Sequence, residues 1–201
     1  MRSRHGTVGR MDYERISEND LSFMQSSFAR GDYSENEEEW VSRLRGEIKN
    51  WIFDMNTATP RFYGGSSFFT DNPVYCSQIL QAAAACGTSD FASLFSDLLA
   101  LEKRKDMLIQ ILQTCATLAW DDEGDMLTQI EEVLHKANPR DTVLLKAVCD
   151  ATYEICRYMG KPTLLSKGKN LLSFMLFPQF DSTTRDYARK TIQNILDFST
   201  T

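Results

Sequence analysis

The stretch DTVLLKAVCDATYEICRYM, residues 141–159, decides the fold class. Leu144, Leu145, Val148, Cys149, Thr152, Ile155, Cys156 and Met159 recur in steps of three and four, so they share one face of an α-helix and no face of a strand. The stripe is broad enough for a central helix with neighbours on more than one side. Residues 106–120 carry a second stripe of the same kind, formed by Met107, Leu108, Ile111, Leu112, Cys115 and Leu118.

Outward from these two, residues 89–101, 123–136, about 164–176 and 182–198 also read as helices, each bounded by Ser, Asp, Gly or Pro. The last uses Tyr187, Ala188, Ile192, Ile195 and Leu196, while LLSFMLF at 171–177 is apolar nearly all round. That segment is either the most enclosed of the set or a sticky surface for a partner. The six helices pair into three hairpins whose first members start at 89, 123 and about 164, and whose second members start at 106, 141 and 182. The resulting intervals of 34 to 41 residues lie in the range of helical-pair solenoids, although only length recurs and no residue signature does. The expected fold is therefore all-α, with helical hairpins packed as a short HEAT/armadillo-like solenoid or as an irregular helical bundle.

Upstream, SENEEEWVSRLRGEIKNWIFDM places Trp40, Leu44, Ile48, Trp51, Ile52 and Met55 on one helical face, with Ser34 as the expected cap and Glu37 three residues on. The following loop, residues 56–73, carries Phe62, Tyr63, Phe68 and Phe69 around Gly64 and Gly65, aromatics expected to plug the end of the core. Asn72 and Pro73 open the next helix, Ile79, Leu80 and Ala83 line it, the AAAA run permits close helix approach, and Gly87 ends it. Residues 1–33 are polar and interrupted, and read as a flexible arm ahead of a single helical domain at 34–201. Within the arm, Leu21, Phe23, Met24 and Phe28 could instead form a short amphipathic segment that folds on a partner or on this protein's own surface.

At 201 residues and 42% apolar composition the chain can fill one sizeable core. The formal net charge of −6 argues against nonspecific coating of nucleic acid, but charge is unevenly spread. Lys and Arg against Asp and Glu number 12 to 22 over residues 1–135 and 10 to 6 over residues 136–201, so the C-terminal third is mildly basic. The five cysteines, an odd number without short-spaced pairs, fit free thiols in a reducing compartment. No uninterrupted run of about 18 apolar residues occurs, and no hydrophobic stretch follows the N-terminal MRSRHGTVGRMDY. An intracellular protein, cytoplasmic or nuclear, with no membrane partner is expected. Arg2, Arg4 and Arg10 are too dispersed to serve as a good nuclear-targeting signal.

The nearest approach to a chemical signature is LAWDDEGDM, residues 118–126. A calcium loop starting at Asp121 would need glycine at its sixth position, which is Met126, so the acidic residues fit helix capping better: Asp121 or Asp122 as the cap, with Asp125 in the first turn. A zinc site lacks imidazoles, since only His5 and His135 are present, and Cys149 and Cys156 stand two turns apart, roughly 10 Å by helical rise. His135 is the sole base available in the folded region for a cysteine nucleophile. SKGKN at 166–170 lacks the frame of a phosphate loop. No enzyme activity and no cofactor are expected.

The remaining candidate surfaces are apolar anchors and a basic edge. Trp40, Trp51 and Phe174 are the candidate protein-binding anchors, with the core as their alternative place. Arg157, Lys161, Lys167, Lys169, Arg185, Arg189 and Lys190 form the candidate site for phosphate or an acidic partner, with an ordinary solvated face as the alternative. The expected function is a non-enzymatic protein–protein interaction module, an adaptor or scaffold that binds another protein, with self-association as a further option. The second reading is a nucleic-acid-associated helical accessory protein or small nucleoprotein that uses the basic C-terminal third, with Tyr153, Tyr158 and Tyr187 available to stack on bases.

Overall fold

The structure is a computed structural model and describes residues 15–31, 37–57 and 68–199. Among these residues the regular secondary structure is all helical, with no strand: α1 (Glu18–Arg30), α2 (Glu37–Thr57), α3 (Phe68–Asp71), α4 (Pro73–Cys86), α5 (Ala92–Leu101), α6 (Lys105–Leu118), α7 (Asp125–Lys136), α8 (Thr142–Met159), α9 (Pro162–Phe174) and α10 (Ser182–Ser199). A 3-10 turn at Ser89–Phe91 leads into α5. The expected Ser34 cap, the Phe62 and Tyr63 plug and His5 lie outside the described residues.

α5, α6, α7, α8 and α10 each pack hardest on a helix two places along the chain. α4, α6, α8 and α10 lie side by side in one layer, and α5, α7 and α9 in a second. α1 extends the first layer by packing on α4, and α2 extends the second by packing on α5. Contacts between α5 and α6, α7 and α8, and α9 and α10 join the layers, and these are the three hairpins read from the sequence. The neighbour pattern is that of stacked helical pairs, each burying its apolar face against the pairs before and after it.

Glycine supplies three of the stops. Gly31, Gly87 and Gly160 adopt left-handed backbone at the ends of α1, α4 and α8, and their N–H groups bond back to the last turns. α10 buries Ala188, Ile192 and Ile195 and exposes Asp186, Arg189, Lys190 and Gln193, with Leu196 and Phe198 also at the surface.

The N-terminal boundary differs from the one expected at residue 33. Ile16, Leu21, Met24 and Phe28 are buried members of the core, and α1 packs along α4. Ser17 caps α1, accepting from the Asp20 N–H at 3.1 Å. The amphipathic set seen in the sequence thus folds on this protein's own surface. Its few apolar positions would not hold an isolated 13-residue helix, and burial against α4 supplies the missing stability. Ala82 and Ala83 of the AAAA run are fully buried on α4, where short side chains suit a helix with neighbours on two sides.

Candidate functional site

Two charged features that are about 40 residues apart in the sequence meet in space. The Lys161 ammonium bonds the Asp122 carboxylate and the Asp122 carbonyl, the latter at 3.0 Å. The Lys167 ammonium bonds the Gly124 carbonyl at 2.6 Å and the Thr128 hydroxyl. The acidic loop ahead of α7 is therefore held by lysines that flank and belong to α9. Asp121 lies beneath them, 4% exposed, with Oδ1 accepting from the Gly124 and Met126 N–H groups and Oδ2 from the Leu127 N–H at 2.9 Å. This is the capping role in which a carboxylate satisfies the free donors of a helix start. Among the described residues, no group of three or more His, Cys, Asp or Glu converges in a way that could hold a metal ion.

The rest of the basic set is divided. Arg157 pairs with Glu154 at 2.6 Å and Arg189 with Asp186 at 2.5 Å, each within its own helix. Lys169, Arg185 and Lys190 form no ion pair with a described residue. Of the seven residues read as one basic edge, four are engaged within the chain.

The three apolar anchors occupy separate places. Trp51 is fully buried and stacks on Phe69 at 6.1 Å with the rings 7° from parallel, so it belongs to the core and presents nothing to a partner. Trp40 is half-buried and meets Phe23 and Phe28 edge to face at 5.5 and 5.8 Å, which fastens α1 to α2. Phe174 is half-buried amid His135, Phe177 and Phe180, with ring centroids 4.8, 5.8 and 5.6 Å away. Of these neighbours Phe177 is 55% exposed. The LLSFMLF segment is mixed: Leu171, Leu172 and Met175 are buried, and Phe177 faces solvent.

One open apolar feature was not singled out in the sequence. Between the N-terminal halves of α8 and α10 lies a cavity of about 280 Å³ lined by Thr142, Val143, Lys146, Cys149, Met175 and Tyr187, among others. Val143 stands at its mouth, 61% exposed. Farther along the same two helices a polar hollow of about 300 Å³ is lined by Asp150, Tyr153, Glu154, Lys190 and Asn194. Tyr187 lines both and stands between them, so an apolar hollow and a charged one adjoin along the groove where α8 meets α10. Its ring lies under the Lys146 ammonium at 5.3 Å, and its hydroxyl donates to Asp150. Burial, with that bonded carboxylate, pushes the Tyr187 phenol well above its ordinary pKa. The available signal was Val143, a β-branched apolar residue one place off the buried stripe at the start of α8.

Thiol chemistry is suppressed by burial. Cys76 is pushed up to about 11, and Cys149 and Cys156 to about 12, chiefly by desolvation. Cys149 lies with its Sγ 3.7 Å from the Met175 Sδ, and the Cys156 thiol donates to the Leu164 carbonyl at 3.3 Å. Among the described residues no helix is long and apolar enough to cross a membrane. In comparisons with known proteins, the chain matches no family model, no curated protein and no solved structure.

Proposed function

We propose that this chain is a non-enzymatic protein-interaction module, an adaptor or scaffold that receives a segment of another protein along the groove between α8 and α10. The observation that carries this reading is the groove's composition. Its apolar end, with Val143 and Met175, offers area to an apolar side chain, and its other end offers Lys190 beside Asp150 and Glu154 to polar groups of the same segment. Stacked helical pairs suit such a role, because the shared core fixes neighbouring helices while their outer faces stay free to vary.

The nucleic-acid reading draws on the same C-terminal third and is weaker on this geometry. Affinity for a phosphate backbone scales with the number of cations that release counterions, and Arg157, Lys161, Lys167 and Arg189 already have acceptors within the chain.

The test is photo-crosslinking from position 143 in a native extract, with and without nuclease, against a control crosslinker at the exposed Gln113 on α6. A discrete, nuclease-resistant protein adduct from position 143 alone, abolished by Lys190→Glu, supports the groove. Equal adducts from both positions, or adducts lost on nuclease treatment, would sink it. An adduct of twice the chain's own mass would identify the partner as a second copy.

A further inference from the structure

Ile16, just ahead of α1, is gripped on both sides of its peptide backbone by side chains from other helices. Its N–H donates to the Glu47 Oε1 of α2 at 3.0 Å, and its carbonyl accepts from the Tyr75 hydroxyl of α4 at 2.9 Å. Glu47 is 2% exposed, and its second oxygen, Oε2, is buried with no hydrogen-bond partner. The charged and titratable groups facing it are Arg15 from the N-terminal segment, Arg43 from its own helix and Tyr75 from α4, with Cys76 beside the tyrosine. Glu47 forms no ion pair with a described residue, and the Arg15 guanidinium instead sits over the Phe68 ring at 3.3 Å from its centroid.

An ionised carboxylate here would have one oxygen satisfied by a single N–H, and the other could be served only by the Tyr75 O–H turning away from the Ile16 carbonyl, so one buried acceptor would go short, a costly state. A neutral carboxyl solves that problem. Oε2–H becomes a donor, the adjacent Tyr75 hydroxyl oxygen can accept from it, and the Tyr75 O–H continues to donate to the Ile16 carbonyl. The three bonds then close a ring through Ile16, Glu47 and Tyr75, each donor matched to one acceptor.

We propose that residues 15–30 form a proton-responsive latch: protonation of Glu47 closes this ring and fastens α1 to α2 and α4, and ionisation of Glu47 loosens it. Burial raises the Glu47 carboxyl above its ordinary range, outweighing the opposing pull of the Ile16 amide, Arg15, Tyr75 and Arg43. The closed latch therefore binds the proton more tightly than the open one. Closure is favoured as pH falls through the raised value and is weakest above it. Opening uncovers the apolar surface of α4 beneath Leu21, Met24 and Phe28.

The test is hydrogen exchange of the full chain at pH values from about 5 to about 8, corrected for intrinsic exchange, with peptides covering residues 16–31 compared against α8. The opening equilibrium of 16–31 should rise with pH, by up to about tenfold for each unit by which the closed carboxyl exceeds the open one, while α8 stays constant. Glu47→Gln keeps an acceptor for Ile16 and a fixed donor for Tyr75, and should hold 16–31 closed at every pH. Tyr75→Phe removes the ring and should open the segment throughout the range. Protection of wild-type 16–31 that is flat with pH, or that changes in step with α8, overturns the latch. Unchanged pH dependence in Glu47→Gln overturns it as well. Should that variant not fold, the wild-type series and Tyr75→Phe decide the matter on their own.

Discussion

Gly168 of α9 lies so close to Cys156 of α8 that a Cβ added to it would stand 2.4 Å from the Cys156 Sγ and 3.1 Å from the Thr152 Cγ2. Both neighbours are fully buried, so neither can swing away. Gly168→Ala is expected to destabilise the protein by about 1–3 kcal/mol, the usual range for overpacking. Gly46, also within a helix, is the control, because nothing lies within 4 Å of its added Cβ. Gly46→Ala should be neutral or stabilising by up to about 1 kcal/mol through helix propensity and the unfolded chain. Urea denaturation of the two variants checks the contrast, and similar losses would mean that α8 and α9 do not approach this closely.

Asp121 and Asp125 lie four residues apart in one acidic run but do different work. Asp121 is buried and accepts three backbone N–H groups, whereas Asp125 is exposed in the first turn of α7. Asp121→Ala should cost about 2–4 kcal/mol, because removal of a charged acceptor leaves buried donors without partners. Asp125→Ala should cost no more than about 0.5 kcal/mol from the helix dipole. The midpoints of thermal unfolding separate the two, and equal shifts would refute the assignment of the cap to Asp121.

Local periodicity and backbone freedom account for the part of the fold that was legible in the sequence. The stripe from Leu144 to Met159 needs no knowledge of neighbours to announce a helix, and Gly87 and Gly160 mark their stops by backbone freedom alone. The features that escaped depend on residues far apart in the chain. Trp51 became core because Phe69, 18 residues farther along the sequence, stacks on it. α1 became part of the domain because α4 offers it a face, which its own polar composition does not reveal. Lys161 and Asp122 looked like members of two opposed patches, and only the turn of α8 into α9 brings them together. The groove between α8 and α10 is likewise a property of a pair of helices 40 residues apart in starting position, with Val143 its one local trace.

Glu102 and Arg104 clamp the corner between α5 and α6. Glu102 Oε1 accepts from the Lys103 and Arg104 backbone N–H groups and from Arg104 Nε, Oε2 accepts from Arg104 Nη2 at 2.8 Å, and Arg104 Nη1 reaches the Phe69 and Thr70 carbonyls. Desolvation alone would raise the Glu102 carboxyl, but the bonds and charge supplied by Arg104 outweigh it, so the folded value falls below the ordinary one. A lowered carboxylate contributes stability above the unfolded value and loses it as pH drops through the folded one. Glu102→Gln should therefore cost about 2–4 kcal/mol near neutrality, and the gap from wild type should close as pH falls below about 4. Denaturant titrations at pH 7 and about pH 3.5 test this, and a gap independent of pH would remove the ionic part of the clamp.

The five cysteines should divide into one that reacts with ordinary thiol reagents and four that report unfolding. Cys76, Cys115, Cys149 and Cys156 are buried, and burial raises all four thiols: Cys76 to about 11, Cys149 and Cys156 to about 12, and Cys115 higher still. Cys86, at the end of α4, is half-buried, and its thiol is raised chiefly by the same desolvation. At pH 8 the thiolate is the reactive form, and a thiol at about 12 supplies roughly one part in ten thousand of it. Native protein treated with a chromogenic disulfide reagent should release about one equivalent quickly, from Cys86, and the other four only at the rate of unfolding. Cys86→Ser should abolish the fast phase. The slow phase should accelerate in Gly168→Ala, whose added methyl pushes on Cys156, and leave the fast one alone. Rapid release of a second equivalent from folded protein would show that one of the four thiols, Cys149 beneath the α8–α10 groove foremost, is open to solvent.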